Sequence, residues 1–233
     1  MGTNNLIYIT ITVIIFFIII YSYYFSIYST VESFVSCDFK HLILNEKQLA
    51  ETKELFLKFT EIAQEYNIDF FAIGGTLIGS VRNGGLLPFD DDIDLGVLDN
   101  NIQHFENYKN DIYYFEKIFF GYKFKKNNSD MFIDIMIFEK KDNQYKIINN
   151  SWPDESFDLD EIYPLIKTKF SEYEMYIPSK HLKYLDRAFP NWDTKIKIDC
   201  GHHSAECVNE KYNIPKEFDI NYEKSKYLCY SKF

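Results

Sequence analysis

The stretch from Ile73 to Gly96 constrains this chain more than any other part of its sequence. It contains six of the nine glycines and four closely spaced aspartates: Gly74, Gly75, Gly79, Gly84, Gly85, Gly96, Asp90, Asp91, Asp92 and Asp94. Glycine allows a backbone to approach a ligand closely, and clustered carboxylates bind a hard cation. The combination predicts a site at which a metal ion and a phosphate group meet.

Strand geometry brings a third carboxylate into this prediction. Asp92 and Asp94 are two residues apart around the predicted strand Ile93–Val97, so their side chains share one face. Asp134 lies within the apolar strand Phe132–Phe138, where burying an unpaired carboxylate is costly. If the two strands are neighbours, the carboxylates converge and repel unless a cation neutralises them. Oxygen-only ligands suit Mg²⁺ or Mn²⁺. The predicted metal ligands are Asp90, Asp92, Asp94 and Asp134.

A Gly-Gly-Thr turn follows the short apolar strand Asp69–Ile73. We predict a helix from Thr76 to Arg82, with Thr76 as its N-cap. Backbone N–H groups at such a turn, together with the positive end of the helix, can hold a phosphate. Arg82 can add a bidentate contact. The predicted phosphate-binding residues are Gly74, Gly75, Thr76 and Arg82.

The apolar spacing before the turn predicts an amphipathic helix from Glu46 to Tyr66. Asn45 is the expected N-cap, and Gln48 gives a partial capping box. We expect this helix to pack on a sheet. The other predicted elements are a helix near Asn101–Tyr108, a hairpin over Lys167–Ile177, and a helix capped by Ser179 and ending at Phe189.

The segment from Leu6 to Tyr28 contains no charged residue. As a helix it would be about 34 Å long at about 1.5 Å per residue, enough for a ~30 Å hydrocarbon layer. We predict a single-pass membrane anchor over residues 1–30, a connector over 31–44, and a catalytic domain over 45–233. A cleaved signal peptide and a buried core helix are the alternatives.

The sequence leaves the orientation of this anchor open. Lys40 and Lys47 follow the apolar segment and no basic residue precedes it, which favours a cytosolic C-terminus. The triplets 127–129 and 149–151 match the N-glycosylation pattern, which favours a lumenal one.

Charge and cysteine content bound the partners and the compartment. The net charge of −10 argues against nucleic acid as a partner. The densest basic cluster is expected to be a solvated strand edge, and consists of Lys123, Lys125 and Lys126. The four cysteines are compatible with disulfides in an oxidising lumen or with free thiols in the cytosol. The group Cys200, His202, His203 and Cys207 is compatible with a disulfide or ordinary loop, or with zinc.

The block G-G-T-L-I-G-S-V-R-N-G-G-L-L-P-F-D-D-D-I-D resembles the signature of the LicD/fukutin family, within the DNA-polymerase-beta-like nucleotidyltransferase superfamily. The resemblance runs from roughly Leu49 to Trp192 and includes the later segments 162–165 and 175–179 and the Tyr184-Leu185 helix. Phe89 stands where the family commonly has Trp. The pair Phe189-Pro190 replaces the usual Tyr-Gly.

The resemblance implies an α+β fold, with a nucleotidyltransferase-like mixed sheet flanked by helices. It implies transfer of a phosphocholine or ribitol-phosphate group from a CDP-linked donor to a glycan hydroxyl. Asp92 and Asp94 match the metal-binding D-x-D, and Asp134 matches the third carboxylate, a ligand or general base. The turn at 74–76 matches the donor-phosphate turn. An N-terminal anchor also implies a secretory-pathway membrane with a lumenal catalytic domain.

Two further functions are compatible with the sequence. One is nucleotidyl transfer to a protein or a small molecule. The other is a catalytically inactive relative that binds glycan or scaffolds a partner. The retention of Asp92, Asp94 and Asp134 argues against the inactive relative, because a pure binder has no need for three mutually repelling carboxylates.

Overall fold

A computed structural model describes residues 44–87, 90–197 and 217–219. The predicted anchor from Leu6 to Tyr28, the four cysteines and the segment 200–207 lie outside these residues. Within the described ranges, no helix is both long and apolar enough to cross a membrane. The anchor and the connector therefore stay predictions.

In the described part of the chain, seven strands form one mixed sheet in an α+β arrangement. They are β1 Phe70–Ala72, β2 Ile93–Leu98, β3 Tyr113–Ile118, β4 Gly121–Lys126, β5 Phe132–Lys141, β6 Gln144–Ile147 and β7 Phe157–Asp158. The order is β1-β2-β5-β4-β3, with β6 paired to β5 and β7 to β6. Only the β2–β5 pairing within this sheet is parallel. A hairpin follows, formed by β8 Ile166–Phe170 and β9 Tyr173–Ile177, and β10 Lys195–Lys197 pairs with β11 Glu217–Asp219.

The helices of the described residues are α1 Glu46–Tyr66, α2 Gly74–Ile78, α3 Ile102–Asn107 and α4 His181–Ala188. A π-helical turn, Gly79–Asn83, continues α2, and 3-10 turns cover Asp99–Asn101 and Ile148–Asn150. The capping box predicted for α1 is confirmed: Asn45 Oδ1 accepts from the Gln48 N–H, and the Asn45 N–H donates to Gln48 Oε1, both at 3.0 Å.

Two predicted helix starts are wrong. The N-cap of α2 is Ile73 rather than Thr76, because the Thr76 hydroxyl instead accepts the N–H of Asp94 at 2.8 Å. The N-cap of α4 is Lys180 rather than Ser179. The Ser179 hydroxyl donates to backbone carbonyls of the preceding loop, so it is not available to cap the helix.

The two faces of the sheet carry different side chains and have different surroundings. One face packs under α1, where the buried Phe59 ring lies 5.3 Å from Phe70 and 5.9 Å from Phe124, between ring centroids. The other face carries carboxylates at one end of β2 and aromatic rings further along. There a Cβ atom at Gly96 would lie 2.4 Å from the Phe71 ring. Gly96 therefore serves packing of the core, although it belongs to the glycine-rich block.

The packing under α1 yields a stability prediction. Phe59→Ala should lower the free energy of unfolding by about 3–5 kcal/mol, because it removes a fully buried ring and leaves a cavity. Leu57→Ala, on the same helix but 44 % exposed, is the control and should change it by less than about 0.5 kcal/mol. Equal urea midpoints for the two variants would contradict this description of the core.

Candidate active site

Three aspartates meet where β2 and β5 begin. Asp94 and Asp134 are direct partners in the parallel pairing of these strands, and Asp92 lies two residues before Asp94. One carboxylate oxygen from each of the three lies within 4.8 Å of the others. Asp92 and Asp134 are buried, with 4 % and 6 % of their surface exposed. The predicted convergence of three carboxylates is confirmed.

A second group of carboxylates adjoins the first. Asp90, Asp91 and Asp92 also offer one oxygen each within 4.8 Å of one another, so Asp92 belongs to both groups. Asp91 is not among the predicted ligands. It joins this group because residues 90–92 precede β2, where the alternation of side chains along a strand does not separate Asp91 from Asp92.

The cluster carries unfavourable electrostatics when no cation is bound. Burial, followed by the neighbouring carboxylates, raises the pKa of Asp94 well above its ordinary value. Burial and the adjacent Asp92 likewise raise the pKa of Asp90. Among the described residues, no group donates a hydrogen bond to the buried Oδ2 atom of Asp90. An oxygen-only, strongly anionic and partly unsatisfied donor set fits a hard divalent cation such as Mg²⁺ or Mn²⁺.

The Gly-Gly turn packs directly against these carboxylates. A Cβ atom at Gly75 would lie 2.5 Å from Asp90 Oδ2, and one at Gly74 would lie 3.0 Å from Asp94 Oδ2. Gly74 also has a φ of +52°, which an L side chain rarely adopts. The predicted phosphate-binding turn is thus within contact of the predicted metal ligands, and no larger residue fits at either glycine without displacing a carboxylate.

A buried tyrosine holds this turn in place. The hydroxyl of Tyr184 accepts the N–H of Gly74 at 3.3 Å and donates to Glu155 Oε2 at 2.8 Å. Its ring stacks on Phe157, with centroids 4.3 Å apart and planes 10° apart. Burial raises the pKa of Tyr184, so the hydroxyl stays protonated and can donate. Sequence reasoning gave no role to Tyr184 or Glu155, because only tertiary packing brings α4 and the loop before β7 to the turn.

Lys123 departs from its predicted role. Its ammonium group lies 2.7 Å from Asp134 Oδ1 and 3.4 Å from the centroid of the Phe132 ring. The expectation of a strand edge is wrong for all three lysines, because β4 lies between β5 and β3, and Lys123 is in addition paired with a buried carboxylate. Strand β4 pairs with β5 in a register that sets Lys123 opposite Asp134. The neighbouring lysines form more exposed ion pairs, Lys125 with Glu116 and Lys126 with Glu54.

Arg82 has structural partners in the described residues. Its Nη1 donates to the backbone carbonyls of Trp192 and Lys195, at 2.6 and 3.0 Å, and its Nε donates to Asn83 Oδ1 at 3.0 Å. These bonds fasten the segment after α4 to the π-helical turn. A phosphate contact by Arg82 stays a prediction.

The chain matches a known family over much of this domain. Residues 67–180 match the family model described as LicD/FKTN/FKRP, nucleotidyltransferase domain. This range contains the glycine turn and the five aspartates of the two carboxylate groups, at positions 90, 91, 92, 94 and 134. The family match thus identifies this range as a nucleotidyltransferase-type domain. The chain belongs to the LicD family.

Relatives and solved structures resemble the chain to different extents. An uncharacterized protein of Rickettsia typhi is 33 % identical over 171 residues, which are 71 % of this chain and 53 % of that protein. The lipopolysaccharide cholinephosphotransferase LicD of Haemophilus influenzae is 38 % identical over 66 residues, 28 % of this chain and 24 % of that enzyme. The chain therefore spans about half the length of the rickettsial relative. A crystal structure of ANT(2'')-Ia with adenylyl-2''-tobramycin aligns at a TM-score of 0.38 and 18 % identity, covering 60 % of this chain and 80 % of that one.

The raised pKa values in the cluster predict that the folding stability of the metal-free protein depends on pH. Because the folded-state pKa values of Asp90 and Asp94 are raised, their protonated forms stabilise the fold below about pH 4, the unfolded value. That stability is lost as the pH rises through the raised values. In EDTA, the urea concentration at the midpoint of unfolding should therefore decrease as the pH is raised from 5 to 8. Asp94→Asn should flatten this fall and the exposed control Asp130→Asn should not; identical slopes for both would contradict the prediction.

The two hydrogen bonds of the Tyr184 hydroxyl give a second prediction, about the stability of the fold. Tyr184→Phe keeps the stacked ring but removes the acceptor of the buried Gly74 N–H and a donor to Glu155. We expect a loss of about 1–3 kcal/mol in the free energy of unfolding, measured by urea denaturation. Tyr66→Phe, at a 36 % exposed tyrosine of α1, is the matched control and should lose almost nothing. A loss no larger than that of the control would show that the hydroxyl does not hold the turn.

Proposed function

We propose that this protein is a metal-dependent transferase that moves a substituted phosphate group from a CDP-linked donor to a glycan hydroxyl. The observation that carries the proposal is the meeting of Asp92, Asp94 and Asp134, with oxygens within 4.8 Å, against the Gly74-Gly75 turn. Anionic side chains repel a phosphate, so a phosphate next to them requires a cation. Membership of the LicD family, one of whose members is a cholinephosphotransferase, supports the same reaction class.

In this proposal, different residues would bind the cation and the donor phosphates. Asp92 and Asp94 would hold Mg²⁺ or Mn²⁺, with Asp90 beside them. When bound, the cation supplies charge neutralisation and polarisation of the donor phosphate. The backbone at Gly74, Gly75 and Thr76 orients the donor phosphates, with Tyr184 fixing the turn. Arg82 is the proposed further phosphate contact.

The transfer itself is a single displacement at phosphorus. The acceptor oxygen forms a bond to the phosphorus that carries the head group, and the bond from that phosphorus to the bridging oxygen breaks. CMP leaves with the bridging oxygen. The hydroxyl proton passes to a carboxylate oxygen of Asp134, for which we propose the role of general base. Lys123, bonded to Asp134 Oδ1, fixes the orientation of that carboxylate.

The location of the enzyme is part of the proposal. The apolar segment Leu6–Tyr28 would anchor the protein in a membrane, where a glycoconjugate acceptor is accessible. We propose a secretory-pathway membrane, with the catalytic domain on the lumenal side. The glycosylation triplets at Asn127 and Asn149 support this side, and both asparagines are exposed in the structure.

CMP release tests the reaction. The full chain in detergent would be incubated with CDP-choline, CDP-ribitol or CDP-glycerol and a glycan acceptor panel, with Mg²⁺ or Mn²⁺. We expect metal-dependent CMP release from one donor, and a loss on the order of 100-fold or more for Asp92→Asn combined with Asp94→Asn. Asp130→Asn removes an exposed carboxylate and should keep wild-type activity.

Other products would favour the other functions. Nucleotide retained on the acceptor, or pyrophosphate released, would indicate nucleotidyl transfer. No turnover and no metal-dependent nucleotide binding, in a chain that remains folded, would overturn the proposal and favour a scaffold. Equal activity of the Asp92/Asp94 double variant and Asp130→Asn would show that the carboxylate cluster is not the active site.

A further inference from the structure

A cleft with a volume of about 630 Å³ lies at the opposite end of β1 from the carboxylates. The end of α1, the start of β1, the Tyr163–Leu165 segment and the β8–β9 hairpin line it; we call it the Tyr163 cleft. Asp69 lies at this end of the strand and Ile73 at the catalytic end. At a rise of about 3.3 Å per residue, the two ends are about 13 Å apart. The cleft is therefore separate from the site described above, yet attached to it by one strand.

Two tyrosines give this cleft aromatic surface. Tyr163 is 39 % exposed although it lines a concavity, and its hydroxyl donates to Asp69 Oδ2 at 3.1 Å, which fixes the ring. Tyr176 packs edge-on against Phe70, with ring centroids 5.7 Å apart. Exposed rings held in a fixed orientation are suited to stacking with a ligand that has an apolar face.

The charges in the cleft indicate a neutral ligand. Lys167 is the cationic side chain among its lining residues, and its ammonium group is bonded to Glu174 at 2.7 Å and lies 5.5 Å from the Tyr176 ring centroid. Lys167 thus already takes the position that an ammonium ligand would need. Asp69 and Glu174 disfavour a phosphate, since Lys167 is the one cation that the described residues contribute to the cleft.

Amide side chains supply the remaining polarity. Gln64 and Asn67 line the cleft, are exposed, and have no side-chain hydrogen-bond partner among the residues that the structure describes. Each amide offers both a donor and an acceptor. A ligand with several hydroxyl groups can satisfy them, because a hydroxyl also donates and accepts.

We propose that the Tyr163 cleft binds a neutral pyranose ring. A pyranose has a C–H face for the Tyr163 ring and hydroxyl groups for the amides of Gln64 and Asn67 and the carboxylate of Asp69. The cleft would hold a sugar unit of the acceptor at a distance from the reacting hydroxyl; this role in the reaction rests on the proposed function, whereas sugar binding does not.

Saturation-transfer NMR tests the binding without any turnover. The full chain, in a detergent without sugar head groups, would be mixed with the methyl pyranosides of glucose, galactose, mannose and N-acetylglucosamine. We expect transfer to the ring protons of at least one, and about tenfold weaker binding in Tyr163→Ala. Tyr163→Phe, which keeps the ring, should lose less. Gln64→Ala, on the exposed surface of α1, should weaken binding without threatening the fold. Tyr114→Ala, at a 39 % exposed tyrosine of β3, should bind as wild type does.

The outcomes separate this inference from the proposed function. Binding that persists in the Asp92→Asn, Asp94→Asn double variant places the sugar outside the carboxylate site and supports the cleft. If the sugar binds in this way while no donor is turned over, the cleft is a sugar-binding site, but the proposal that it holds the acceptor of the reaction is wrong. No binding of any of the four pyranosides, or binding that Tyr163→Ala and Gln64→Ala leave unchanged, would overturn the inference.

Discussion

The parallel pairing of β2 with β5 is the interaction on which the rest of the site depends. It sets Asp94 opposite Asp134 on one face, and it sets Leu95 and Ile135 opposite each other on the face under α1. A slip of one residue would send the aspartates into the core and the apolar side chains out of it. The burial of Leu95 and Ile135 therefore stabilises the register that brings the carboxylates together. Here the hydrophobic core and the site have the same structural origin.

The same arrangement carries an electrostatic cost that the fold must offset. Carboxylates brought together and desolvated resist ionisation, as the raised pKa values of Asp90 and Asp94 show. Lys123 offsets part of this cost at Asp134, and its position over the Phe132 ring adds a cation–π contact. In the proposed function, a bound cation would neutralise more of this charge, which would explain why the fold tolerates such a cluster.

The parts of this arrangement that follow from the spacing of residues along the chain could be predicted from the sequence. Asp134 stands alone in an apolar strand, and Asp92 and Asp94 are spaced for one face, so their convergence could be predicted before the strand order was known. The capping box at Asn45 and Gln48 could be predicted for the same reason, since all its partners lie within one turn. Thr76 shows where local preference fails. Its type suits an N-cap, but its hydroxyl bonds across to Asp94, a contact that depends on the β1–β2 pairing.

The site residues whose roles the sequence does not indicate are joined to the site by tertiary contacts, both packing and hydrogen bonds. The family resemblance includes the Tyr184-Leu185 helix, but it assigns no role to the hydroxyl of Tyr184, which is one of 19 tyrosines. Its position follows from a row of rings on the second face of the sheet, in which Phe71 and Phe138 each pack on Phe157 and Phe157 stacks on Tyr184. Gly96 leaves the space that this row requires. The high aromatic content thus acts on the site through Tyr184, because a rigid row of rings ends in a hydroxyl that holds the Gly74 backbone. Looser packing along this row would move that hydroxyl, and with it the turn against which Asp90 and Asp94 lie.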